Sequence, residues 1–223
     1  MSDHERRDWK ALGEALTVFA LIMLYIWRER LYHPWTAWAV LGAVIATHFL
    51  HGENPRRLGF GWREVRGAFR AVLPWLAAVA LVLTGAGLLA GTVRKTTVAQ
   101  AALGILGYSV WGLLQQYLLN AYFVNRLAQF RGRTRGEFVP LAAGALFAFA
   151  HLPNWFLMLV TFAGGYTCAR LYLRFRSLYV LALAHGTVAY FLLMVVPEPV
   201  SAHFLVGPRY LLHMYGWYPE LLL

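Results

Sequence analysis

Charge is scarce in this sequence, and acid is the scarcer half of it. Only 13% of the residues are charged, with 10 Asp and Glu against 20 Lys and Arg, where a soluble domain usually carries about 25%. A water-soluble globular domain is thereby excluded. The single cysteine, Cys168, allows no intramolecular disulfide and no zinc-finger spacing. It lies inside an apolar segment and reads as a small packed hydrophobe. No repeat, low-complexity tract or flexible linker interrupts the chain, so residues 1–223 read as one membrane domain. No small-residue cleavage site follows the first apolar run, which reads as an uncleaved span.

What is present is apolar: 60% of the residues, with a mean hydropathy of +0.52. Stretches long enough to cross a bilayer as helices recur along the chain. The expected architecture is all-α, a polytopic bundle of about seven transmembrane helices at roughly 11–27, 35–51, 68–90, 98–125, 138–153, 155–173 and 178–196. The net charge of +10 does not point to nucleic acid, because the basic residues sit in short blocks between apolar spans. The lipid bilayer and its anionic headgroups are the expected partner. All of the 20 Lys and Arg except Arg28, Arg30, Arg94, Lys95 and Arg209 fall on one side of the alternating loops. By the positive-inside rule that side is cytoplasmic, with the N-terminus inside, as in a bacterial inner membrane protein. The aromatic tail (Phe204, Tyr210, Tyr215, Trp217, Tyr218) contains Pro208, Arg209 and Pro219 and reads as an interfacial segment of the outer leaflet. The stretch from Leu58 to Phe69 reads as a basic amphipathic surface segment. Gly164-Gly165 and the group Gly85, Gly87 and Gly91 are expected to allow close helix approach.

Polar side chains at membrane depth are costly and therefore candidate functional positions. The fourth span carries Gln115, Gln116 and Asn120; the fifth ends in Phe147-Ala-Phe-Ala-His151-Leu-Pro-Asn154; the seventh carries His185. At a helical rise of 1.5 Å per residue, Gln115 stands about 16 Å from Arg126, His185 about 14 Å from Arg176 and His151 about 20 Å from Phe138. These groups therefore fall at one depth, and the Pro153-Asn154 break falls within the membrane, where irregular backbone must be enclosed or face a cavity. Singly, each could be an interhelical hydrogen-bonding group. Glu14 reads as an i, i−4 partner of Lys10, and His48 and His51 as interfacial.

At these residues the sequence resembles the CPBP family, which includes the CAAX prenyl proteases and bacteriocin-processing intramembrane peptidases. The family signature is Glu-Glu-x-x-x-Arg, then Phe-x-x-x-His, then His-x-x-x-Asn, each on its own helix. Gln115-Gln116-Tyr-Leu-Leu-Asn120 stands in the first position, Phe147-x-x-x-His151 in the second, and His185 opens the third, with Ala189 in place of its asparagine. The Arg-Leu-Tyr-Leu-Arg-Phe-Arg-Ser-Leu-Tyr stretch before His185 is also family-like, and the resemblance covers about residues 98–196. It implies a CAAX-protease-like bundle and an intramembrane endopeptidase. It casts Gln115, Gln116, Asn120, His151 and His185 at the catalytic positions and Phe147 and Asn154 beside the substrate, a membrane-embedded or lipidated protein.

In the family a glutamate is thought to activate water, and a metal role has been argued as well. A general base must titrate, and an amide does not. Of the ten acids only Glu14 lies inside an expected span. Two histidines without carboxylate or thiolate fall short of the three protein ligands usual for catalytic zinc; a divalent metal such as zinc is left open, and no soluble cofactor is implied. Three functions follow: a peptidase using His151 or His185 as base, a pseudoenzyme that binds a membrane segment or lipidated peptide, or a lipid-modifying enzyme.

Overall fold

The computed structural model describes residues 3–131 and 136–217. Arg133, Arg135 and Tyr218, and the side chains of residues 1–8 and Arg131, fall outside what it describes. Among the described residues the regular structure is helical, without a strand, apart from an isolated bridge between Phe60 and Ser177.

Helix α1 (Asp3–Leu24) runs on through a π turn, Tyr25–Glu29, into α2 (Arg30–Tyr32). α3 (Thr36–Leu50) follows, then a loop, then α4 (Val65–Leu89), which contains Pro74. A capping box between Thr97 and Gln100 starts α5 (Val98–Gln116). That helix continues through a π segment, Tyr117–Val124, into α6 (Asn125–Arg131). α7 (Phe138–Phe149) ends in a tight turn, and the side chain of Asn154 caps α8 (Trp155–Phe175) by accepting from the Leu157 amide at 3.1 Å. After α9 (Leu178–Val195) come the short α10 (Glu198–Ser201), a 3₁₀ turn (Ala202–Phe204) and α11 (Pro208–Tyr215).

Among the described residues, five helical stretches are long and apolar enough to cross a bilayer: Trp9–Tyr32, Val65–Ala90, Val98–Phe130, Trp155–Phe175 and Leu178–Val195. The other two expected spans are apolar helices of 15 and 12 residues. This is an integral membrane protein, and its surface follows the solvent: Leu89, Val98 and Leu50 are exposed by 93%, 89% and 85%, as lipid-facing side chains are.

The core lies around the α5–π–α6 rod. Leu119, Ala121, Val124 and Leu127 pack with Tyr172 of α8 and Leu178 of α9. α5 and α9 approach at Gly186, where a Cβ would strike the Ser109 backbone, and α7 meets α8 at Gly165, where a Cβ would lie 3.2 Å from the Gly144 Cα. Gly87 abuts Val195. Gly164, Gly85 and Gly91 have nothing within 4 Å, so these three do not bring helices together.

One face of the bundle is closed by ionic contacts. Arg126 has no exposed surface in its side chain. Its Nε lies 3.1 Å from a Glu14 oxygen, and its Nη1 donates to Glu53 at 3.1 and 3.2 Å. Glu53 also holds His48 Nδ1 at 2.6 Å, and Glu14 holds His51 Nε2 at 3.0 Å. Glu14 does lie 3.9 Å from Lys10, but its closer partners join α1 to α6 and to the end of α3. His48 is accordingly a buried network member, not an interfacial side chain. Residues 58–60 of the expected surface segment are likewise inserted here: Leu58 is buried, and the Leu178 amide donates to the Gly59 carbonyl at 2.9 Å. Gly59 has φ +97°, and a Cβ there would meet Leu178 and Tyr172 at 3.0 Å.

Candidate functional site

Three helices and a turn bring the polar groups together. α5 supplies Gln115 and Gln116 from its last turn, the π segment Asn120, the end of α7 Phe147, the following turn His151, and α9 His185. Gln116 and Asn120 are fully buried, and the Asn120 Nδ2 donates to the Gln116 Oε1 at 2.6 Å. The Gln116 Nε2 lies 3.3 Å from the His185 Nδ1. With the amide donating, His185 accepts on Nδ1 and carries its proton on Nε2. His151 is set the other way: its Nδ1 lies 2.7 Å from the Phe147 carbonyl and donates to it, leaving Nε2 as an acceptor. The Phe147 ring neighbours both imidazoles, at 4.9 Å from His151 and 6.2 Å from His185 between centroids. Gly112 makes room for His185, since a Cβ there would lie 3.0 Å from its Cδ2.

A cavity of about 450 Å³ adjoins this cluster. Gln115 and His151 form its polar corner with Phe147; Leu118, Trp38 and Ile22 are among its apolar walls, and Arg30 also borders it. The two glutamines therefore differ in role. Gln115 faces the cavity, whereas both ends of the Gln116 amide are taken by Asn120 and His185. Asn154 stands apart from both. It is buried, caps α8, and donates to the carbonyls of Ser201 and Leu205 at 3.0 and 3.1 Å, which ties the tail to the α7–α8 turn. Ala189 leaves its position in the third motif without a polar group.

Sequence reasoning did not anticipate the part played by α1 and the tail. Phe19, Ile22 and Ile26 line the cavity, and Val206 reaches it from the tail. No motif marks these residues; an amphipathic face on the first span was the available signal. The donor set at the cluster, two imidazoles with amides, does not fit a catalytic metal, which usually takes three imidazole, carboxylate or thiolate ligands. Among the described residues, the His, Cys, Asp and Glu side chains that do gather in a group of three lie in the tail.

A family model described as Rce1-like, type II CAAX prenyl endopeptidase, matches residues 97–191. That segment is CAAX-protease-like. It runs from the cap of α5 into α9 and contains every polar group of the cluster. The match bears out the family resemblance carried by the three motifs. No curated protein and no solved structure matches the chain.

Proposed function

We propose that this chain is a CAAX-protease-like protein of a bacterial inner membrane, N-terminus in the cytoplasm, that binds a membrane segment or a lipidated peptide without hydrolysing it by the glutamate mechanism. One observation carries the reading: the polar corner of the cavity is built of the Gln115 amide and the His151 imidazole, with no carboxylate among its lining residues. Gln115 offers both a donor and an acceptor, and His151 an acceptor, to a neutral polar group such as an amide or thioether-bearing peptide end. The apolar walls suit an aliphatic or isoprenoid chain, as ligand cavities with a few placed polar groups do. A titrating carboxylate, which would activate water, is what the position of Gln115 and Gln116 lacks.

The test uses reconstituted protein and a farnesylated peptide carrying a photoactivatable group. Labelling of α3 or α5 peptides, lost in Leu118→Trp, with no cleavage of the probe, is expected. A cleavage product that accumulates with wild type and vanishes with His151→Ala would instead establish a second reading, hydrolysis with His151 as base. That reading is favoured by one feature, the His151 Nε2 left as an acceptor by the bond from Nδ1 to Phe147.

A further inference from the structure

The tail holds a second group of ligating side chains, on elements outside the family-matched segment. Glu198 opens α10, His203 lies in the 3₁₀ turn and His213 in the last turn of α11. One ligand atom from each lies within 4.8 Å of the others. The His213 Nε2 is 2.5 Å and the His203 Nε2 3.7 Å from the same Glu198 oxygen, and the two imidazoles are 5.2 Å apart between centroids.

The backbone is bent to achieve this. Ala202, His203 and Phe204 have φ of 46°, 50° and 58°, three successive non-glycine residues in the left-handed region. Such residues persist only where their surroundings over-determine them, and they concentrate at functional sites. Here the buried Asn154 amide brackets the turn, bonding the Ser201 carbonyl on one side and the Leu205 carbonyl on the other.

We propose that Glu198, His203 and His213 bind a divalent transition metal ion of the zinc class. Two imidazoles and one carboxylate are a three-ligand set that zinc takes with its fourth position open to water. Tetrahedral ligand atoms around zinc stand about 3.4 Å apart, so on binding the His213–Glu198 contact would open slightly and the His203–Glu198 contact close slightly. His203 and His213 are exposed by 57% and 33% in their side chains, which leaves the open position to solvent. Bound metal would staple α10 to α11 and hold the tail across the α7–α8 turn, where Val206 walls the cavity.

The experiment uses full-length, tag-free protein in detergent, stripped with a chelator and titrated with zinc and then with cobalt. Wild type is expected to take up one equivalent saturably, to show the visible bands of four-coordinate cobalt, and to gain thermal stability with zinc. His213→Ala and His203→Asn should each weaken uptake about tenfold or more and abolish the thermal shift. Asparagine is chosen at 203 because it tolerates the left-handed conformation. No saturable uptake by wild type, or uptake unchanged in both variants, would overturn the proposal.

Discussion

Arg126 shows how one side chain can be at once costly and necessary. Its guanidinium is fully buried and faces two carboxylates, Glu14 and Glu53. Removing one partner from a buried ion group leaves the rest uncompensated, so Arg126→Ala should cost about 3–5 kcal/mol, read as loss of folded protein in denaturant titration in detergent. Glu53 adds a pH dependence. Burial pushes its carboxyl up, but the hydrogen bonds from His48 and Arg126, with the Arg126 charge, outweigh this and hold it below the ordinary glutamate value. A carboxyl depressed in the folded state contributes stability that is complete above its unfolded pKa and is lost as pH falls through its folded one. Melting temperature should therefore fall on acidification below about pH 4, and Glu53→Gln should flatten that fall while lowering stability near neutrality. The sequence disclosed only that Glu14 was an acid within a span. That it answers an arginine 112 positions away could not be read from local pattern, because the nearest basic residue in its own helix, Lys10, supplied a sufficient partner.

Between elements, close approach decides what a substitution costs. At Gly186 any side chain meets the α5 backbone at Ser109, and Gly186→Ala is expected to destabilise by about 1–3 kcal/mol. Gly164→Ala has open space on the same scale and should be neutral or stabilising by about 0.5–1 kcal/mol, alanine being the better helix former. Thermal melts of the two variants side by side check both signs. Asn154→Ala removes the cap of α8 and leaves two tail carbonyls without their donor. A loss of about 1–3 kcal/mol is expected, together with faster proteolytic release of the segment after α9. The long apolar helices from α3 to α9 were legible in the sequence to within a few residues, since hydropathy and proline placement act locally. By contrast α1, continued through its π turn into α2, runs further at both ends than the expected first span, and the short tail helices were not foreseen. The π segment at Tyr117–Val124 was not, because an apolar run looks the same whether it winds as α or π.

For the whole molecule, the charge asymmetry yields an orientation that labelling can check. In a Cys168→Ala background, Arg94→Cys should react with an impermeant maleimide from outside intact cells, and Arg63→Cys only after permeabilisation; the reverse pattern would invert the topology. Both positions are exposed. Arg176 donates to the Arg57 carbonyl and Arg126 to Glu53, contacts that join the loop after α3 to the ends of α8 and of the α5–α6 rod.

The sequence by itself determined that the chain lives in a membrane, that it is built of apolar helices, and that amides rather than carboxylates stand at Gln115, Gln116 and Asn120. These follow from composition and local order, because each residue's transfer between water and lipid is nearly independent of its distant neighbours. Only the tertiary structure decided which glutamine faces the cavity, what holds Arg126, and that Asn154 ties down the tail. Those outcomes rest on contacts between residues 69, 73 and 47 positions apart. They depend on how each helix is rotated about its axis, a quantity set by packing among several helices and carried by no single stretch of sequence.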